Sequence, residues 1–339
     1  MYAFFDDRQW LHDPKHFMAH GAISENPEKS QRIEALHKGA LDAGCRFQKS
    51  QDFGLGPIAA IHSPRYLTFL RNIYRRWQYM ETAGEEVIPN IHPVNRIESY
   101  PKSTTGQAGF HQADTACPIG KHTWEAAYWS AQSALGLADH MLSGAKSGYA
   151  LCRPPGHHAF GEMAGGFCFM NNSAIATQQL RQAGKRVAIL DIDVHHGNGT
   201  QGIFYDCDDV LTVSLHADPQ RFYPFFWGHS HERGSGRGSG FNLNIPLARH
   251  TPDASYLEAL KVALEHIDIF GTDIIVVALG LDASIDDPFE GLAITTEGFQ
   301  RIAKAISELG RPVALVQEGG YLSDELGRNL SSFLAGVRV

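Results

Sequence analysis

Two rhythms of apolar and polar positions divide the chain. One consists of short, nearly unbroken apolar runs: "YAFF" (2–5), "GYALC" (148–152), "VAIL" (187–190), "LTVS" (211–214), "IIVVALGL" (274–281) and "VALVQ" (313–317). Runs of this length, punctuated by Gly, Pro and Asp, read as strands buried on both faces. The other rhythm repeats every three to four residues and predicts helices over 26–44, 64–80, 123–144, 171–184, 198–206, 255–271, 296–310 and 325–336. For the first of these, Asn26 or Ser24 is the expected cap and Gly44 the stop. Residues 83–110 are rich in Pro, Gly and polar types and read as irregular, as does the Pro-, His- and Gly-rich stretch up to about residue 27. Strands that alternate with helices predict an α/β fold with one parallel sheet covered on both faces. No internal repeat is evident, and 339 residues allow one large α/β domain or two.

Placed on that sheet, the polar residues that follow each strand fall at one edge, because ligand sites in open α/β sheets gather beyond the carboxyl ends of the strands. After the strand ending near Cys152 come His157 and His158. After "VAIL" come Asp191, Asp193 and His195, spaced by two and so sharing a face, with Ile192 and Val194 on the other. After "IIVVALGL" comes Asp282, and after "VALVQ" comes Tyr321. Two carboxylates buried together are unfavourable unless a cation neutralises them. Two Asp and one His, with a place left for water, suit a catalytic metal rather than a closed structural site. Asp193, His195 and Asp282 are therefore the expected ligands, for Zn²⁺ or for Fe²⁺, Co²⁺ or Mn²⁺. A neighbouring His as proton carrier and a Tyr hydroxyl as oxyanion donor complete a set suited to amide hydrolysis without a covalent enzyme intermediate.

Composition narrows the classes. A net charge of −8 argues against a nucleic-acid partner. No run reaches the roughly 18 apolar residues of a membrane span, and the first residues lack the basic and apolar segments of a signal peptide. Five scattered Cys without a C-x-x-C pair fit reduced thiols in a cytoplasmic protein. The Gly-rich segment 234–240 lacks the Lys-Ser/Thr ending of a phosphate loop.

The segments "RPPGHHA", "GGFCFMNN", "DIDVHHGNGTQ", "LGLDAS" and "EGGYL" resemble the histone-deacetylase superfamily of zinc amidohydrolases, over most of the chain from residue 26 onward. Within it they are most similar to the bacterial acetylpolyamine amidohydrolases. The resemblance implies the arginase/deacetylase fold, one Zn²⁺ on Asp193, His195 and Asp282, and a structural K⁺ at Asp191, Asp193, His195, Ser214 and Leu215. It implies His158 as general base, His157 as its electrostatic partner, Asp191 and Asn198 as the groups that orient them, and Tyr321 as oxyanion donor. It assigns Gly166, Phe167 and Tyr223 to a substrate tunnel, Asp114 to an acidic rim, and an inserted loop at about 76–105 to a homodimer interface that narrows the mouth. The resemblance also implies a single catalytic domain over 1–339 and, as substrate, a small acylated amine such as an acetylpolyamine; the alternatives are a lysine deacetylase acting on proteins or peptides, or a hydrolase of another small amide. Two departures bear on substrate: Thr105 stands where an acidic residue is expected, and another acidic residue is replaced within 15–21. Asp114, Glu85, Glu86 and Glu98 are the candidates to compensate. An arginase-like two-metal enzyme would need carboxylates in place of His157 and His196.

Overall fold

The computed structural model describes residues 1–93 and 99–337. In chain order its elements are β1 (Tyr2–Phe5), β2 (His16–Ala19), β3 (Ala22–Glu25), α1 (Gln31–Asp42), β4 (Arg46–Lys49), α2 (Gly56–Ala59), α3 (Pro64–Trp77), α4 (Thr104–His111), α5 (Thr123–Leu142) and β5 (Ser147–Ala150). There follow α6 (Asn172–Gln182), β6 (Val187–Asp191), α7 (Asn198–Phe204), β7 (Val210–Ala217), β8 (Asn242–Leu247), α8 (Asp253–Phe270), β9 (Ile274–Leu279), α9 (Thr296–Glu308), β10 (Val313–Gln317) and α10 (Leu326–Gly336).

Among the described residues, eight strands form one sheet in the order β4-β1-β5-β10-β9-β6-β7-β8. Every pairing in it is parallel. Successive side chains divide between the faces, as the strand period of two demands. Ala188, Leu190, Ile275, Val277 and Leu315 join the apolar faces of α1, α8, α9 and α10. Val187, Ile189, Val276, Ala314 and Val316 join α5, α6 and Phe204 of α7. In α9, Phe299, Ile302, Ala303 and Ile306 recur at helical spacing and supply its buried stripe. A further cluster packs α3 and α4 on the outside of α5.

The differences from the sequence reading lie in the short elements. α1 starts at Gln31 after Ser30, so neither Asn26 nor Ser24 caps it. The Asn26 side chain accepts the Glu28 N–H in a turn, and Ser24 lies in β3. Gly44 does follow the helix end, at φ +80. The stretch read as irregular contains α4, capped by Ser103 through the Gly106 N–H. The amino-terminal loop contains the antiparallel hairpin β2–β3. β4 and β8 extend the sheet at its two edges; their polar or Pro-containing sequences hide the strand pattern.

One buried ionic cluster joins these pieces. Glu28 is fully buried and accepts from Arg32 (2.6 Å) and Arg153 (2.8 Å). Arg153 also donates to the Gln9 and His12 carbonyls, and Arg32 to those of Glu318 and Gly320. The amino-terminal segment, α1 and the loop after β10 are thereby locked together. Burial pushes the Glu28 carboxyl up, but the Arg153 and Arg32 guanidinium groups outweigh it and hold it below its usual 4.5. Its stabilisation is therefore complete above that value and is lost as pH falls through the depressed one. Glu28→Gln is expected to cost about 3–5 kcal/mol at neutral pH, because it strands two buried cations. The gap from wild type should close in acid. Denaturant melts at two pH values check this, and equal midpoints at neutral pH would overturn it.

Candidate metal centre and active site

Asp191 ends β6 and lies in register with Ser214 of β7 and Ala278 of β9. Beyond it the alternation persists: Ile192 and Val194 enter the core on the α8 side, while Asp193 and His195 turn to the opposite face. Asp282 follows β9, Tyr321 follows β10, and His157 and His158 follow β5. The strands β5, β10, β9, β6 and β7 are consecutive neighbours in the sheet, so residues up to 164 positions apart meet at one edge.

One potential donor atom from each of Asp193, His195 and Asp282 lies within 4.8 Å of the others, and all three residues are buried. His195 Nδ1 faces Asp193 Oδ1 at 3.1 Å and Asp282 Oδ2 at 3.2 Å. Each carboxylate is also aimed by backbone. Asp193 accepts the N–H of His195 and of Gly319, and Asp282 accepts that of Val194. Two glycines make room. A Cβ at Gly319 would collide with the carboxylates of both Asp282 and Asp193, and one at Gly280 with Asp193. Burial and the nearby Asp193 charge push the Asp282 carboxyl up to about 6. Two wholly buried carboxylates beside an imidazole, cradled by glycines, fit a divalent cation and fit poorly without one.

The tandem histidines are each held through Nδ1: His157 by Asp191 Oδ2 at 2.9 Å and His158 by Asn198 Oδ1 at 2.7 Å. Burial would lower His157, but Asp193 and Asp191 raise it to about 10. Burial, and then the charge of His157, push His158 well down. One ring is thus kept cationic and its neighbour neutral, with Nε2 of His158 left as a base. Beneath them lies Glu318, which the sequence reading did not single out. Its carboxylate accepts the Gly156 and His157 N–H groups and the Ser173 hydroxyl, fixing the turn that carries both rings.

A cavity of about 340 Å³ opens above this centre. His158, His195 and Tyr321 form its floor, with Phe167, Tyr223 and Gly166 in its wall. Burial raises the Tyr321 hydroxyl well above its usual range, so it stays a donor. The ring of Tyr321 lies between those of Phe167 (5.7 Å) and Phe289 (4.8 Å), and its N–H is held by Asp287. Gly166 and Phe167 both have positive φ, +48 and +68, a strained geometry for Phe. Asp114 holds that turn: it accepts the Gly166 N–H (3.1 Å) and the Tyr223 hydroxyl (2.6 Å), and also the Ala116 N–H. Asp114 is thus part-buried in the wall, with its carboxylate accepting from three protein donors. Glu86 is likewise committed, to the Lys15 and His16 N–H groups at the base of the hairpin, and Glu85 lines a separate hollow beside it. Glu98 lies outside the described residues. The sequence reading also missed Phe17, Phe222, Phe289, Arg221 and Arg249 as cavity residues. They stand on loops and on the hairpin, where no periodicity marks them; for Phe289 the nearby "LGLDAS" segment was the available signal. Ser214 and Leu215 sit beside Asp191 at the same edge.

Comparison with known proteins agrees with this fold. The histone deacetylase domain family matches residues 24–337. The chain is 44% identical over 337 residues to an acetylpolyamine amidohydrolase of Burkholderia pseudomallei, covering 99% of this chain and 98% of that protein. It is 38% identical to acetylpolyamine amidohydrolase 2 of Pseudomonas aeruginosa, over 99% and 98% of the two chains. The crystal structure of the acetylpolyamine aminohydrolase from Burkholderia pseudomallei superposes with a TM-score of 0.95, covering 99% of this chain and 98% of that one.

The glycine cradle gives a test of the centre. Gly319→Ala is expected to displace both carboxylates and to weaken divalent-cation binding at least roughly ten-fold, the scale of outer-shell changes at metal sites. Because the apo centre holds mutually repelling carboxylates, adding metal should raise the melting temperature of wild type more than that of the variant at the same metal concentration. Metal titration followed by thermal melts reads both, and equal affinity in the two proteins would refute the cradle.

Proposed function

The chain belongs to the histone deacetylase family, and we propose that it is a zinc-dependent amidohydrolase that removes acetyl groups from small acylated amines, the acetylpolyamines of its relatives' names being the first substrates to try. The observation that carries this reading is the cluster of Asp193, His195 and Asp282 under a cavity that His158, His195 and Tyr321 line.

A zinc ion held by Asp193, His195 and Asp282 supplies a Lewis acid for the amide carbonyl and acidifies a water molecule. The protein's own groups do the rest. His158, neutral and oriented by Asn198, takes the proton from the attacking water through Nε2 and later returns it to the leaving amine. His157, kept cationic by Asp191, stabilises the negative charge that develops. Tyr321 donates its hydroxyl hydrogen to the oxyanion as the carbonyl carbon becomes tetrahedral. The aromatic walls hold the aliphatic chain and exclude water. A potassium ion beside Asp191, with Asp193, His195, Ser214 and Leu215 contributing, would brace the β6–β7 edge. We read segment 76–105 as the face of a homodimer: Tyr79 and Ile91 in it are 82% and 61% exposed. Residues 94–98 of that segment lie outside the described residues.

Tyr321→Phe is expected to lower kcat roughly 100- to 1,000-fold while leaving KM within a few-fold. Amine release by the zinc-loaded protein from N-acetylputrescine, N-acetylcadaverine and an acetyl-lysine peptide checks both chemistry and size. Faster cleavage of the peptide would overturn the small-amine assignment, and undiminished turnover by the variant would remove Tyr321 from the mechanism.

A further inference from the structure

The charged side chains that line the cavity, its histidines aside, are of one sign. No Asp or Glu lines it among the described residues, while Arg221 and Arg249 do. The sheet explains why they stand together. β7 and β8 are parallel neighbours with Ala217 opposite Leu247. Arg221 follows four residues after the first and Arg249 two residues after the second, so both emerge at the same corner. The same two side chains also border an adjoining hollow of about 350 Å³ floored by Ala217, Phe222 and Ala248.

Their charges are unequally matched. Arg249 donates to the Glu290 carbonyl at 2.9 Å and stands 3.7 Å from its carboxylate, in an exposed pair. Arg221 is exposed, and its guanidinium has no hydrogen bond or ion pair with any described residue. Asp218, the one acidic residue on the adjoining hollow, accepts the Gln220 N–H at 3.0 Å. Asp114 is taken up inside the wall, as described above. An ammonium at the mouth thus finds no described carboxylate among the lining residues, whereas a carboxylate finds a guanidinium with unspent donors, able to form charge-assisted bonds.

We infer that this corner is an anion subsite, and that the chain's substrates include N-acylated amines whose far end is a carboxylate, gripped by Arg221 with Arg249 beside it. The inference rests on the amidohydrolase reading and extends its substrate class. The apolar walls take the methylene chain, the centre takes the amide, and the two arginines take the distal carboxylate.

Three acetamides isolate the effect: 5-acetamidopentanoate, N-butylacetamide and N-acetylputrescine, which carry a carboxylate, a hydrogen and an ammonium at the end of the same four-carbon N-alkyl chain. The expected kcat/KM for 5-acetamidopentanoate exceeds that for N-butylacetamide roughly five-fold, the scale of one partly exposed ion pair. That advantage should vanish in Arg221→Gln and shrink as salt rises. The ratio of kcat/KM for the anionic amide to that for N-butylacetamide, taken within each protein, reads this apart from any general loss in the variant. Calorimetric binding of the same amides to the Tyr321→Phe protein should give the same order without turnover. An anion handled no better than the uncharged amide, or an advantage that survives Arg221→Gln, overturns the subsite. Failure to cleave any of the three strikes the amidohydrolase reading instead, and the binding order then still decides the subsite.

Discussion

Asp193 and Asp282 are both fully buried, and the rest of the site is arranged around making that tolerable. Water is excluded, so each oxygen must find a donor or a cation. The N–H groups of Val194, His195 and Gly319 answer part of the demand. Those donors come from the loops after β6 and β10, so the carboxylates are correctly aimed only when the parallel sheet is in register. Asp193 Oδ1 and Asp282 Oδ2 converge on His195 Nδ1, and there the demand is for a cation. Fold and chemistry are therefore one constraint: the register that brings backbone donors to both carboxylates also aims one oxygen of each at the same place.

The same logic separates what the sequence discloses from what it hides. The central strands are buried on both faces, so they must be apolar throughout, and an Asp-x-Asp-x-His run at the end of one is conspicuous. Asp191, Asp193, His195, Asp282, His157, His158 and Tyr321 were legible for that reason. β4 and β8 sit at the sheet's edges and tolerate "RFQK" and a Pro, and the hairpin β2–β3 is half exposed. Their apolar pattern is therefore weak. Asp114 shows a different limit. A chain position can suggest that a carboxylate lies near a mouth, but only the fold shows that a tyrosine hydroxyl and backbone N–H groups already occupy it. Glu318 and Asp287 escaped notice because they hold backbone rather than substrate, and backbone acceptors leave no spacing to recognise.

Residues with chemical tasks and residues that shape the space above them occupy different parts of the architecture. The donors, the tandem histidines and Tyr321 lie within a few residues of strand ends and are braced by buried partners: Asp191, Asn198, Glu318, Asp287. The cavity walls come from farther out, from the loop after β7, the loop after β9 and the amino-terminal hairpin. Arg32 joins the two levels. It donates to the carbonyls of Glu318 and Gly320, and its guanidinium lies 5.1 Å from the centre of the Tyr321 ring. The position of that tyrosine thus depends on an ionic cluster seeded by Glu28.

The hairpin carries Phe17 and His20 to the cavity, yet it stands outside the main sheet and is fastened at its base by Glu86. Evolution can therefore lengthen, recharge or re-register this ribbon without disturbing a single strand of the sheet or a single donor to the centre. Preference for what enters can drift between lineages while the hydrolytic apparatus stays fixed.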